Sequence, residues 1–254
     1  MLFAASASAA CSLVVDLSTL GSDAGPTDVV VPAETSNDAS PDAAYSFADA
    51  FNRADGAIGN GWITKSPGFD LASGHVVRDN VSSLDFLDLL VHRPSTEAVL
   101  DVHASMQVVP SGLDGGSGSW EQLHVRVQPS TVDAISRLDD YMLFPHGGGA
   151  TSIDIGRNRI VTSAYTILTT FQLAAPLTAG LTYRFTLAAT GTSPVVLFGS
   201  VERYDAPSWT LIGSATTQDL DANAITTPGV VGFSASNSDP TGAFTYDEFV
   251  VLGN

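Results

Sequence analysis

Leu100-Asp101-Val102-His103-Ala104-Ser105-Met106-Gln107-Val108 decides the fold class of this chain, because every even position is apolar and every odd one polar. A period of two puts successive side chains on opposite faces of a β-strand, one face suited to a core and the other to water. Gln122-Leu123-His124-Val125-Arg126-Val127-Gln128 repeats the pattern, with Leu123, Val125 and Val127 on one face. Tyr183, Phe185 and Leu187 alternate with Arg184 and Thr186. Further β-rich runs fall at 45–51, 75–78, 86–92, 140–145, 151–155, 159–163, 167–172, 194–203, 207–213, 229–236 and 242–252. Turn residues separate them: Gly59-Asn60-Gly61, Ser111-Gly112, Gly147-Gly148-Gly149 and Asp239-Pro240-Thr241-Gly242. Few segments show helical periodicity, and no repeat of roughly 40–50 residues marks a propeller. The pattern predicts an all-β, two-sheet antiparallel sandwich.

The 254 residues carry 27 Asp and Glu against 10 Lys and Arg, a formal charge of −17. Such a surface repels phosphate backbones and anionic lipid, which disfavours nucleic acid as a partner and adsorption to a membrane through a basic face. No run approaches the roughly 20 apolar residues that span a bilayer. A single cysteine forms neither an internal disulfide nor a thiolate zinc cluster. Residues 1–44 hold Asp16, Asp23, Asp28, Glu34, Asp38 and Asp42 with no Lys, Arg or His, so −11 remains on the body. The segment 12–44 has no aromatic residue and is rich in Ala, Ser, Asp, Pro and Thr, the composition of an acidic disordered linker. Residues 45–254 suit one domain.

Met1–Ala10 is a run of Met, Leu, Phe, Ala and Ser that ends at Cys11. It resembles the end of a bacterial lipoprotein signal peptide, in which small residues such as Ser8-Ala9-Ala10 precede the cysteine that becomes lipidated. Ser8 stands where that pattern usually has an aliphatic residue, and a charged n-region is missing. Ala5-Ser6-Ala7 and Ala7-Ser8-Ala9 also fit an ordinary small-x-small cleavage site. The resemblance implies export to the bacterial cell envelope, as an outer-membrane lipoprotein or a secreted protein, with membrane contact only through a lipid on Cys11. The plain alternative is a thiol with no role.

Asp49-Ala50-Phe51-Asn52-Arg53-Ala54-Asp55-Gly56-Ala57-Ile58-Gly59-Asn60-Gly61-Trp62 opens the body. Gly229-Val230-Val231-Gly232-Phe233 and Tyr246-Asp247-Glu248-Phe249-Val250-Val251 close it. These strings resemble the opening and closing strands of bacterial concanavalin A-like and laminin G-like domains, and the likeness spans nearly all of 45–254. It implies a jelly-roll sandwich, a fold that hosts lectins, glycan-binding modules, glycosidases and adhesion domains alike.

Chemistry is sparse in the sequence. Hydrolases of that fold carry a Glu-x-Asp-x-(x)-Glu string, whereas the five glutamates here (Glu34, Glu97, Glu121, Glu202, Glu248) lie more than twenty residues apart. Asp85/Asp88, Asp139/Asp140 and Asp219/Asp221 are close pairs that read as solvated turn acids. His146-Gly147-Gly148-Gly149 lacks the Gly-x-Ser-x-Gly partner of an esterase loop. No His-x-x-x-His spacing supports a helical zinc site. Asp219-Leu220-Asp221-Ala222-Asn223 starts like a calcium loop but has Ala224 and Val230 where that loop needs Gly and Glu. Asp49 and Asp247 each share strand parity with a core aromatic, Phe51 and Phe249. The resemblance implies neighbouring first and last strands, so these two aspartates are candidate ligands of a structural calcium. The alternative is that each carboxylate accepts backbone N–H bonds at a bulge or turn. His103, His124, Arg126 and Arg184, with Trp120 and Tyr141 as walls, are the candidate ligand-binding set for a sugar on a solvent-facing sheet. Each also has a duller reading, as a solubilising charge, a strand cover or a core residue. The chain therefore reads as a surface-tethered, non-catalytic module for glycan or another cell-surface ligand. A hydrolase of sugars with non-standard catalytic residues and a structural or adhesion protein are the competitors, and the oligomeric state stays open.

Overall fold

The period-two segments become strands in the computed structural model, which describes residues 45–64, 69–78, 89–93, 99–110, 119–128, 139–145, 150–159, 164–237 and 244–253. Cys11, the linker 12–44, Asp85, Asp88 and the His146–Gly149 loop lie outside the described residues. The strands are β1 (Tyr45–Asp49), β2 (Ile63–Thr64), β3 (Phe69–Ala72), β4 (His75–Arg78), β5 (Leu89–Arg93), β6 (Val102–Pro110), β7 (Ser119–Val127) and β8 (Asp140–Pro145). They continue as β9 (Ser152–Arg159), β10 (Ala164–Gln172), β11 (Tyr183–Thr190), β12 (Val195–Asp205), β13 (Ser208–Asp219), β14 (Val230–Asn237) and β15 (Phe244–Gly253). No helix occurs among the described residues.

Two antiparallel sheets result. The first runs β13-β12-β11-β6-β15-β4-β3, and the second β10-β9-β8-β7-β14-β5-β2. β15 is long enough to take two partners along one edge: Thr245 and Tyr246 pair with β4, and Phe249–Gly253 pair with β1. The first and last strands therefore lie side by side, as the resemblance implied. β6 and β7 follow each other in sequence yet sit in opposite sheets, as do β14 and β15. The fold is the expected two-sheet jelly roll.

Alternation decides what lies between the sheets. Ala104, Met106 and Val108 of β6 join Tyr183, Phe185 and Leu187 of β11 from one side. Leu123 and Val125 of β7, Tyr141 and Leu143 of β8, and Ile153 and Ile155 of β9 meet them from the other. At one end the filling is aromatic. Phe233 of the second sheet lies 4.7 Å from Tyr246 of the first, ring centre to ring centre, and Trp62 lies 5.0 Å from Phe249. Rings at such distances add about 0.5–1.5 kcal/mol per pair beyond their burial.

Several expectations need correcting. Runs 151–155 and 159–163 were expected as separate strands, but β9 continues through Gly156 to Arg159. A Cβ on Gly156 would meet the Tyr165 ring at 2.3 Å, so the glycine makes room for a side chain from β10. β13 runs on to Asp219, because Ala215 and Thr217 keep the inward alternation that Leu211-Ile212-Gly213 interrupts at a bulge. The short strands β2 and β3 carry too few residues to show a period. Asp139, Asp140 and Asp219 are buried, not solvated turn acids, whereas Asp221 is exposed as expected. Each buried carboxylate is matched by a partner: Asp139 by Arg159 at 3.3 Å, Asp140 by His124, and Asp219 by Arg157 at 2.6 Å and the Tyr141 hydroxyl at 2.8 Å.

Candidate functional site

The second sheet presents an outer face built from five neighbouring strands. Where Leu123, Val125, Tyr141, Leu143, Ile153, Ile155 and Phe233 point inward, parity turns Gln122, His124, Asp140, Met142, Phe144, Asp154, Gly156 and Ser234 outward. The central part of this face is polar and closed. His124 Nδ1 lies 2.5 Å from Asp140 Oδ2, and its Nε2 lies 2.7 Å from Ser234 Oγ. The Ser234 hydroxyl also donates to Gln122 Oε1 at 3.3 Å. Both ring nitrogens of a buried histidine are thereby satisfied, which offsets the cost of removing it from water.

Toward the edge strand β10 the face opens. Tyr165 is 39% exposed and Ile167 49%, and Thr170 also reaches solvent. Tyr165 packs edge-on against Phe144, with ring centres 5.1 Å apart, and its hydroxyl end lies over Gly156. Burial raises the pKa of the Tyr165 phenol, and the carboxylates of Asp154 and Asp140 push it further up. The phenol therefore stays protonated and can donate. Thr170 Oγ1 donates to Asp154 Oδ1, which fixes a second hydroxyl on the same edge. A tyrosine ring beside one oriented hydroxyl can cover the C–H face of a polyol and hydrogen-bond its oxygens.

The candidate residues chosen from the sequence are scattered. His124 alone lies in the closed polar part of this face. His103 is exposed on β6 in the other sheet, so the two histidines do not meet. Arg126 sits at a β-bulge with φ +52° and turns its fully buried guanidinium to the end of the sandwich. There it donates to the carbonyls of Leu100 (2.7 Å), Ile225 (2.8 Å) and Gly191 (2.8 Å). Tyr141 is core, and its hydroxyl bridges Asp219 and the Ile225 N–H. Arg184 lies on the outer face of the first sheet, 4.0 Å from the Trp209 ring centre and 3.2 Å from Glu202. Trp209 is thus a part-exposed residue under an arginine, whereas Trp62 is core. The Trp120 side chain lies outside the described residues. Tyr165 and Thr170 escaped the sequence reading because an exposed Tyr on an edge strand has no local signature. Asp140 had one, since it heads the run Tyr141–Pro145 that is apolar on both faces.

The donor set proposed for calcium does not fit a cation. Asp49 accepts from Phe51 N (2.8 Å), Arg53 Nη1 (2.7 Å) and Nη2 (3.2 Å), Asn60 Nδ2 (2.9 Å) and Trp62 Nε1 (2.8 Å). Five donors leave its lone pairs no room for a metal. Asp247 accepts from the Glu248 N–H at 2.8 Å, beside a bulge in β15, and meets His75 at 3.2 Å. Among the described residues no three His, Cys, Asp or Glu side chains converge on a metal position.

Solved structures share this arrangement of sheets. Lectin I from Ulex europaeus, in complex with the methyl glycoside of α-L-fucose, is similar with a TM-score of 0.55 and 8% identity, over 82% of this chain and 97% of that one. The likeness is one of fold alone. The CBM2 module of the evolved Dit of Lactobacillus casei BL23 phage J-1 gives a TM-score of 0.52 at 10% identity, over 82% of this chain and 96% of its own. A xylan β-1,4-xylosidase from Bacillus halodurans gives 0.52 at 15% identity, over 88% of this chain and 41% of the enzyme. Comparison of the sequence with protein-family profiles and with curated proteins finds no match.

Proposed function

We propose that this lectin-like sandwich is a glycan-binding module whose ligand lies on the outer edge of the second sheet, across Tyr165, Ile167 and Thr170. One observation carries the reading: an exposed tyrosine ring held over Gly156, with Phe144 packed against it and Asp154 orienting a hydroxyl beside it. Stacking supplies affinity for the apolar face of a sugar ring, and the fixed Thr170 hydroxyl supplies orientation. The lectin and carbohydrate-binding neighbours support it through shared fold. Binding to an array of bacterial and plant polysaccharides that is lost in Tyr165→Ala would uphold the proposal; an array without a single binder would refute it.

Export belongs to the same proposal. Cys11 takes a lipid, and the acidic stretch 12–44 serves as a tether between it and the sandwich, suited to surface glycan. Intact-mass measurement of the protein from a bacterial host, compared with Cys11→Ser, tests the anchor: a diacylglyceryl mass on Cys11 supports it, and an unmodified thiol removes it.

A further inference from the structure

We infer that Ser234, His124 and Asp140 form an acyl-transfer relay, and that the chain hydrolyses short acyl esters such as acetyl esters on the outer face of its second sheet. The inference rests on these side chains and not on the glycan reading above. Three adjacent strands deliver them: Ser234 from β14, His124 from β7 and Asp140 from β8. Nε2 of His124 lies 2.7 Å from the serine oxygen, and Nδ1 lies 2.5 Å from the Asp140 carboxylate. Those are the contacts a general base needs on its nucleophile and on the group that orients it. Exposure rises along the chain of hydrogen bonds, from 0% at Asp140 through 2% at His124 to 9% at Ser234. The buried carboxylate holds the ring from behind, and the hydroxyl is the end a substrate can reach.

The remaining surroundings agree with that direction. Gly232 precedes Ser234 on the same face of β14 and pairs with His124, so no side chain from that position crowds the hydroxyl. Gln122 Oε1 lies 3.3 Å from Ser234 Oγ and helps to hold the hydroxyl in place beside His124. Ser234 is only 9% exposed, so the expected substrate carries a small acyl group and not a long one.

The step balances without a cofactor. Ser234 Oγ forms a bond to the ester carbonyl carbon while its proton passes to His124 Nε2, and the carbonyl π pair moves onto oxygen. Collapse of the tetrahedral species breaks the bond to the alcohol, which leaves with the proton from Nε2. Water then attacks the acyl-serine by the same route, giving the carboxylic acid and restoring the hydroxyl. Asp140 accepts from Nδ1–H throughout and keeps the ring in place.

Full-length protein treated with a fluorophosphonate, followed by peptide mass spectrometry, should carry one adduct, on Ser234. 4-Nitrophenyl acetate should be hydrolysed, and 4-nitrophenyl octanoate should be turned over at least about 10-fold more slowly. Ser234→Ala should abolish the adduct and lower kcat/KM for the acetate about 100-fold or more, within the range a general base and its nucleophile supply. His124→Gln should do the same while leaving Ser234 in place. Ser234→Ala leaves His124 Nε2 without its partner, so its melting temperature should fall by several degrees, and a cooperative melt well above the assay temperature separates lost chemistry from lost fold. A folded protein without an adduct on Ser234, or acetate hydrolysis unchanged by Ser234→Ala, overturns the inference.

Discussion

Replacing Asp49 by alanine should be among the most damaging single changes to the sandwich, and the structure says by how much. The carboxylate is buried and accepts five hydrogen bonds that tie β1 to the loop leading to Trp62. Arg53 and Asn60 reach solvent and can be rehydrated, so their loss costs little. Trp62 and Phe51 are buried, and truncation leaves the indole N–H and the Phe51 amide without acceptors. Each such orphan costs about 1–3 kcal/mol, so the pair costs about 2–6. For a domain of this size 1 kcal/mol lowers Tm by about 2–4 °C, which puts the expected drop near 10 °C. Burial raises the pKa of Asp49, but the hydrogen bonds from Arg53, Asn60, Phe51 and Trp62 together outweigh it, so the net shift is downward. A carboxyl lowered in the folded state stabilises above its unfolded pKa of about 3.9, and that stability is lost as pH falls through the folded value. Thermal melts followed by circular dichroism from pH 7 to pH 2 should therefore show parent and Asp49→Ala converging at the acid end. A difference below about 2 °C at pH 7, or one that persists undiminished at pH 2, would refute the reasoning.

Arg126→Ala should cost about 3 kcal/mol or more in urea unfolding, because it strands three carbonyls and empties a buried site; Arg184→Ala, whose cation is partly exposed on Trp209, should cost under about 1 kcal/mol. Gly156→Ala puts a methyl group into the Tyr165 ring, which must swing aside. Melting should change by only a few degrees while binding of any glycan found on the array falls as far as in Tyr165→Ala, as isothermal titration would show. Chelator and added millimolar calcium should leave Tm unchanged within about 1 °C, whereas a site filled to 100 times its Kd would add about 2.7 kcal/mol. A rise of several degrees with calcium would show that the Asp49 and Asp247 geometry has been misread.

Much of the sandwich was legible because alternation is local. Ala104, Met106 and Val108, or Tyr183, Phe185 and Leu187, announce an inner face within seven residues, and the core confirms each. Gly156 lies between the runs 151–155 and 159–163, and a glycine there has two physical uses, a turn or a close approach, which only the partner strand tells apart. The same limit explains Asp139, Asp140 and Asp219. A short acidic pair beside turn residues reads as solvated until the cation that neutralises it, Arg157 or Arg159, arrives from a strand whose pairing no local pattern specifies.

The two histidines define where sequence reasoning on the site stops. His103 and His124 occupy the same place in the same alternating pattern, and both were read as polar-face residues. Parity was right for both, since it fixes which face of its own strand a side chain occupies. It says nothing about which sheet the strand joins, and β6 and β7 part company across the core. The environment of each outer face then follows from its neighbours. β6 has β11 and β15 beside it, and His103 stays in water; β7 has β8 and β14, which bring Asp140 and Ser234 to either side of His124. A hydrogen-bonded row across three strands needs sequence separations of 16 and 110 residues to close together. Such a row is a property of sheet order alone, so any chemistry it carries had to wait for the topology.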